Sequence, residues 1–152
     1  MRRRWARVRS LDARQWWVVV CSAVLVPLVQ LSLRARGLGC TARTLGRWSA
    51  GLADPADVAA VELARHLAEP VALVAGRKVI GSLCLGRSLV LWFLLRCRGI
   101  DAELVIGVQA PVDGHLPAHA WVEVQGIPVN DEPDVRTRFG SFGLSLPRLT
   151  AP

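Results

Sequence analysis

Three residues in the second half of the chain, Cys84, His119 and Asp131, have the side-chain types that covalent acyl transfer needs. Cys84 lies where an apolar, periodic segment begins, which places its thiol in the first turn of a predicted helix. The unpaired N–H groups and the dipole at a helix N-terminus favour an anion, so a thiol there loses its proton more easily. Because the thiolate is the form that attacks a carbonyl carbon, this position predicts a nucleophile.

His119 and Asp131 are predicted on neighbouring strands, close enough to contact each other. His119 lies in the alternating segment Ala118–Val124, on the face opposite the core-facing residues, and is the natural general base. Asp131 follows twelve residues later, at the end of the next predicted strand, where its carboxylate can accept the ring N–H and fix the tautomer. The alternatives are structural roles: a buried apolar thiol, a hydrogen-bonded histidine and a turn carboxylate beside Asn130.

The remaining cysteines and histidines form no second chemical site by their spacing. No two cysteines have the C-x-x-C spacing of a structural zinc site, and four are too few for a disulfide scaffold. We therefore expect no metal, no cofactor and a reducing cytoplasmic location. The cysteines and histidines outside the candidate site are Cys21, Cys40, Cys97, His66 and His115.

The elements predicted around the candidate site are helices followed by a small antiparallel sheet, an α+β architecture. The catalytic helix, Cys84–Arg98, has apolar residues at helical spacing and ends at Gly99. Three strands follow from alternation and turn residues. They are Ala102–Val108, Ala118–Val124 and Ile127–Asp131.

The first half of the chain is predicted to be helical in four pieces, separated by glycine, proline and polar residues. Asp54 is the expected N-cap of the third piece. That helix should stop before Pro70, because a proline inside a helix removes a backbone donor. The predicted segments are Gln15–Leu33, Ala42–Trp48, Asp54–Glu69 and Val71–Val79.

The basic charge of the chain is concentrated in its first fifty residues. Of the 152 residues, 52% are hydrophobic and 20% charged, which fits one folded domain and excludes intrinsic disorder. Residues 1–50 contain ten Arg and one Asp, whereas residues 51–152 contain nine basic and eleven acidic side chains. We therefore expect one domain, with a basic, apolar helical region (1–50) packed on or preceding a catalytic core (51–152). Without a nucleic-acid-binding motif, the arginines favour an anionic membrane surface or acidic peptides over nucleic acid.

Gln15–Leu33 is free of charge and nearly long enough to span a membrane. Pro27, Gln30, Ser32 and the arginines at both ends argue against a simple span, and the residues that follow are a poor signal-peptidase site. Three interpretations remain: a helix buried against the domain, peripheral contact with a membrane, or a true span. The expected location is the cytoplasm, with membrane association left open.

Two sequence blocks around the nucleophile and the base resemble the transglutaminase-like lasso-peptide biosynthesis B proteins. The first block is CLGRSL with the later RGIDAEL, and it begins at Cys84. The second is HAWVEV, which begins at His119 and leads to an Asn-Asp pair and a trailing PDV. The resemblance covers roughly Val71 to Phe142. It implies a transglutaminase-like (papain-like) cysteine protease core with Cys84, His119 and Asp131 as its catalytic triad.

Members of this family remove the leader from a ribosomally made precursor peptide, so that a partner cyclase can close a macrolactam. At 152 residues, with no second domain before the helices, the chain is similar to the split form of the family, in which a separate small protein grips the leader. The resemblance thus implies a lasso precursor peptide as substrate. It implies a leader-binding recognition protein and a macrolactam cyclase as partners.

In the expected mechanism, the Cys84 thiolate attacks the carbonyl carbon of the scissile peptide bond. His119 then gives a proton to the leaving amine and afterwards takes one from the water that hydrolyses the thioester. The backbone N–H of Cys84 at the helix start is the expected oxyanion donor. Two alternatives stay open. One passes the thioester to an amine, as transglutaminases do, and the other is a non-catalytic scaffold that binds peptides or a membrane.

Overall fold

The computed structural model of the chain describes residues 13–49, 58–75, 82–110 and 116–141. The elements follow the predicted order of helices and then a small antiparallel sheet, which confirms the α+β class. The predicted N-cap Asp54 and the loop residue His115 lie outside the described residues. The elements are α1 (Ala13–Trp48), α2 (Val58–Ala75), α3 (Ser82–Arg96), β1 (Ala102–Val108), β2 (Ala118–Val124), β3 (Ile127–Pro128), α4 (Val135–Arg138) and β4 (Gly140–Ser141).

Helix α1 is bent at Gly37, within the stretch predicted to turn. Gly37 has φ 74° and ψ 175°, a conformation that side chains disfavour and glycine tolerates. The two limbs are joined by a 2.8 Å hydrogen bond between the hydroxyls of Ser32 and Thr41. The Thr41 hydroxyl also lies 2.9 Å from the Gly37 carbonyl oxygen, to which it donates. The bend therefore has a fixed geometry, and the residues after it are directed back toward the core.

Helix α2 continues through Pro70, so the prediction of two helices separated there was wrong. Pro70 has no backbone N–H to donate to the preceding turn, which costs the helix one hydrogen bond. Continuing the helix nevertheless keeps one apolar stripe buried on both sides of Pro70, and that packing outweighs the lost bond. The stripe is Val61, Ala64, Leu67, Ala68 and Val71.

Helix α3 lies at the centre of the fold, between α1, α2 and the sheet. It is apolar nearly all round, as a helix surrounded by protein must be. Its Trp92 indole donates to the Ala102 carbonyl oxygen at 2.8 Å, which fixes the helix to the start of β1. Gly99, with φ 79°, ends the helix as predicted, and the Ile100 N–H closes the last turn onto Leu95 at 3.1 Å.

The sheet has the strand order β3-β2-β1-β4, with every pair antiparallel. Strand β3 is shorter than predicted, because backbone pairing stops soon after Pro128, which has no N–H. The Val129 N–H still donates to the Val122 carbonyl at 3.0 Å. Beyond it, the side-chain oxygen of Asn130 accepts the Val122 N–H at 2.8 Å. Asp131 therefore lies just past the strand rather than within it.

Candidate active site

The structure brings the three predicted site residues together from three elements. Cys84 is the third residue of α3, His119 the second of β2, and Asp131 follows β3. The Nε2 atom of His119 lies 2.6 Å from Oδ2 of Asp131. On the other side, the His119 ring forms a hydrogen bond with the Cys84 thiol. Because Nε2 is occupied by the carboxylate, Nδ1 is the ring nitrogen left to face the sulfur.

The contact with His119 is what makes Cys84 an unusually acidic thiol. Burial acts most strongly on the pKa of Cys84 and raises it, but the combined opposing effects are larger and hold the pKa below its ordinary value. They are the hydrogen bond with His119, the backbone N–H groups of Ala120 and Leu85, and the positive charge of His119. The start of the helix lowers the pKa of Cys84 through the backbone N–H of Leu85, as the sequence predicted, but the imidazole of His119 lowers it more.

The carboxylate of Asp131 keeps His119 protonated beside that thiol. The hydrogen bond with Asp131 is the main cause that raises the pKa of His119 to about 9, and contact with Cys84 adds to it. Burial raises the pKa of Asp131, but His119, the Glu132 N–H and the charge of Arg138 together bring it below its ordinary value. The arrangement therefore shifts Cys84 toward the thiolate, His119 toward the imidazolium and Asp131 toward the carboxylate.

The Cys84 sulfur faces an apolar cavity of about 390 Å³. Apart from Cys84 and His119, the side chains that line it are aliphatic, and one of them, Leu38, comes from α1 just after the bend. A cavity of this size and lining accepts an apolar side chain next to Cys84. The other lining residues are Leu85, Ile106, Leu116, Ala118 and Ala120.

Comparison with known proteins places the chain in a family. The sequence model described as the transglutaminase-like superfamily matches residues 22–142, which include all three site residues. The chain belongs to the transglutaminase-like superfamily. It is also 44% identical over 55 residues to the microcin J25-processing protein of Escherichia coli, which covers 36% of this chain and 25% of that protein. No solved structure is a significant match to the chain. The family resemblance carried by the two sequence blocks is thus confirmed.

In this transglutaminase-like chain, two aromatic rings hold the His119 imidazole in place. Its ring centroid lies 5.0 Å from that of Phe139 and 6.2 Å from that of Trp121. Gly107 pairs with His119 in the neighbouring strand, and a Cβ there would come within 2.9 Å of both aromatic side chains. A side chain at Gly107 would therefore displace the two rings that pack against the imidazole.

An ion pair between the buried Glu123 and the exposed Arg136 fixes Trp121 in turn. The Trp121 indole N–H donates to Oε1 of Glu123 at 2.7 Å, and the Arg136 guanidinium donates to both oxygens of that carboxylate. Glu123 is only 1% exposed, so Arg136 neutralises a charge that burial would otherwise destabilise strongly. Alternation along β2 had placed His119, Trp121 and Glu123 on one face, but Arg136 comes from α4 and no sequence signal pointed to it.

Ser88 and Asn130 connect the helix of Cys84 to the two segments that hold His119 and Asp131. The fully buried Ser88 hydroxyl donates to the Ala120 carbonyl oxygen at 2.8 Å and accepts from the Asn130 side-chain nitrogen at 3.0 Å. Asn130 also completes the pairing of β2 through Val122. Ser88 lies in the CLGRSL block, and the sequence indicated nothing of this long-range contact.

Replacing Ser88 with alanine is expected to lower the free energy of unfolding by about 1–3 kcal/mol, because the buried Ala120 carbonyl and the half-buried Asn130 amide each lose a partner. Urea unfolding followed by circular dichroism measures this. Thr44→Ala is the matched control, since its hydroxyl bonds only a carbonyl of its own helix and its removal should cost about 1 kcal/mol or less. Equal unfolding free energies for the Ser88 and Thr44 variants would contradict this role.

The other cysteines and histidines lie away from this site. Cys21, Cys40 and Cys97 are half-buried, and burial raises the pKa of Cys21 and of Cys97, opposite to the change at Cys84. His66 lies in α2, with Nδ1 3.4 Å from the Gln15 side-chain nitrogen. Among the described residues, no three His, Cys, Asp or Glu side chains cluster closely enough to hold a metal ion.

Proposed function

We propose that this chain is a cysteine peptidase that removes the leader from a ribosomally made lasso precursor peptide, using Cys84, His119 and Asp131. The observation that carries the proposal is the geometry of the site. A thiol contacts an imidazole whose Nε2 lies 2.6 Å from a carboxylate, and the thiol faces an apolar cavity. Superfamily membership and similarity to a protein that processes microcin J25 support the substrate class.

In the first step, the Cys84 thiolate attacks the carbonyl carbon at the leader–core junction. The Cys84 sulfur forms a bond to that carbon, and the carbonyl oxygen carries the charge of the tetrahedral intermediate. Backbone N–H groups in the first turn of α3, including that of Cys84, are the donors we expect to stabilise that charge. The C–N bond then breaks as the His119 imidazolium gives its proton to the leaving amine, which leaves a thioester on Cys84.

In the second step, water replaces the amine. His119, now neutral, accepts a proton from water as the oxygen attacks the thioester carbon, and the thiolate leaves. The Asp131 carboxylate holds the ring in the correct tautomer and stabilises the imidazolium that forms in each cycle. The net reaction adds one water and yields a leader carboxylate and a core peptide with a free amine.

The chemistry of the product sets the order of the steps. A macrolactam forms from an amine and an activated carboxyl group, so leader removal, which frees the amine, precedes closure by a cyclase.

A cavity of about 390 Å³ holds one or two side chains rather than an extended leader. We therefore infer that a separate leader-binding protein delivers the precursor.

Product masses test this function. The purified chain is incubated with a candidate precursor, with and without the recognition protein, and the peptides are analysed by mass spectrometry. Two products whose masses sum to that of the precursor plus one water support the peptidase. A product in which the acyl group is joined to an added amine, with no water gained, would indicate transglutaminase-type transfer instead. Unchanged precursor in the presence of the recognition protein would favour a scaffold.

The thiolate–imidazolium pair predicts a bell-shaped pH profile of kcat/KM. Activity should rise as the Cys84 thiol loses its proton through its lowered pKa. It should fall as the pH passes about 9, because His119, whose pKa is raised to about 9, then loses the proton that the leaving amine needs. Initial rates over a pH series with a constant-ionic-strength buffer measure both limbs. An alkaline limb near the ordinary pKa of histidine would contradict the proposed pairing.

A further inference from the structure

The first limb of α1 presents apolar residues on its outward side, where an ordinary surface helix presents polar ones. Gln15 and Ser22, both polar, are buried against the domain at 4% and 0% exposure. Between Trp16 and Leu31, by contrast, every exposed residue is apolar. A helix that faced water would show polar residues outward. The outward face of this limb is therefore suited to an apolar environment.

Six large side chains form this outward face, which we call the apolar stripe. Their exposures range from 45% to 66%, and their spacing of three and four residues aligns them along one side of the helix. The stripe is about 24 Å long at the rise of an α-helix. A continuous apolar surface of this size is unusual on a protein that stays in water. The stripe is Trp16, Trp17, Val20, Val24, Leu28 and Leu31.

The opposite side of the same limb is packed against protein, so lipid cannot surround this helix. Val18 and Val29 are in the hydrophobic core. The Gln30 side chain lies against Gly86 in the catalytic helix, so closely that a Cβ on Gly86 would come within 2.3 Å of its Nε2 atom. By length and composition the helix could cross a membrane. Its packing instead leaves one side available, which fits a helix that lies in the plane of a membrane interface.

Arginines at both ends of the stripe indicate which surface it meets. Arg34 and Arg36 are exposed at its C-terminal end. The Arg98 guanidinium lies 4.7 Å from the Trp17 ring centroid at the other end. The first fourteen residues contribute six more Arg and only one Asp to the sequence. Apolar residues and tryptophan flanked by arginine complement an interface in which anionic headgroups border hydrocarbon.

We propose that the apolar stripe binds the surface of an anionic lipid bilayer and holds the protein there as a peripheral, non-spanning enzyme. This inference goes beyond the peptidase function and does not depend on it. Apolar contact along the stripe and attraction of the flanking arginines to lipid headgroups act together, and α3 and the sheet remain on the aqueous side. Binding should be reversible, and salt should weaken it because ions screen the arginines.

The test is co-sedimentation of the full chain with vesicles of phosphatidylcholine alone or of phosphatidylcholine with phosphatidylglycerol. We expect binding to the anionic vesicles that is about tenfold or more tighter than to the neutral ones and that falls in high salt. Val20→Glu/Val24→Glu places two charges in the stripe at positions 59% and 57% exposed, so the fold should survive. It should lower vesicle affinity about tenfold or more.

Leu63→Glu/Ile127→Glu is the matched control, because it also replaces two exposed aliphatic residues, 38% and 40% exposed, with glutamate but lies outside the stripe. The control should bind vesicles like the parent, and circular dichroism should show all three proteins folded. Three outcomes would overturn the proposal: no vesicle binding by the parent, equal binding by the stripe variant, or extraction from membranes that requires detergent, as for a spanning helix. A dimer in solution that the stripe variant dissociates, without vesicle binding, would assign the stripe to a second copy of the chain.

Discussion

Replacing Cys84 with alanine is expected to abolish precursor cleavage, with a loss of about 10⁴-fold or more in kcat. The reason is that no other described group can form the thioester: the sulfur that faces the cavity and contacts His119 is unique to this position. The fold should be retained, because alanine removes one buried sulfur and leaves the apolar packing around it. Cleavage measured by mass spectrometry, with the recognition protein present, gives the rate.

Cys97→Ala is the matched control for this experiment. Cys97 is also a free cysteine from the end of the same helical segment, but its pKa is raised by burial, and it does not line the cavity. Its replacement should leave the rate within about twofold of the parent, since it removes no group from the site. Near-normal cleavage by the Cys84 variant would exclude covalent catalysis at this residue.

Replacing Asp131 with alanine is expected to lower kcat roughly 10³-fold or more, because the imidazole loses the group that orients it. The variant Asp131→Asn separates orientation from charge. It keeps an oxygen that can accept the Nε2–H but removes the carboxylate that is the main cause of the raised pKa of His119. We therefore expect its alkaline limb to move from about 9 toward the ordinary pKa of histidine. Its loss of rate should be smaller than that of the alanine variant.

Asp134→Ala is the control for the charge change. Asp134 is exposed and pairs with Arg138 at 3.2 Å, the same arginine that contacts Asp131, but it does not touch His119. The Asp134→Ala variant should therefore keep the alkaline limb of the pH profile near 9. If Asp131→Asn keeps its alkaline limb near 9 while Asp134→Ala shifts it, the two carboxylates have the opposite of the roles assigned here.

The site residues could be predicted from sequence because their chemistry depends on local order. A helix start identifies Cys84, and strand alternation directs His119 away from the core-facing Ala120. The position of Asp131 was predicted only approximately. The sequence indicated a strand that reaches it, whereas the side chain of Asn130 replaces the last backbone pairing. A side-chain oxygen that accepts a hydrogen bond in place of a backbone carbonyl produces no alternating pattern in the sequence.

The features that sequence analysis missed depend on contacts between distant parts of the chain. The passage of α2 through Pro70 reflects burial of one stripe against neighbouring helices, which local propensity does not report. Arg136 reaches Glu123 across thirteen residues, and Leu38 reaches the cavity from α1. These contacts follow from tertiary packing, so no periodic pattern in the sequence indicates them.

The bend at Gly37 has a practical consequence for anyone who trims the protein to improve its yield. The hydrophobic N-terminal helix is the obvious segment to delete, yet Leu38 beyond the bend lines the same cavity as Cys84, and Gln30 packs against α3 at Gly86. A shortened product that begins after this helix would open the cavity to solvent and remove a support of the helix that carries Cys84. To improve solubility, the exposed apolar residues of this helix are better replaced one at a time, with the helix itself kept.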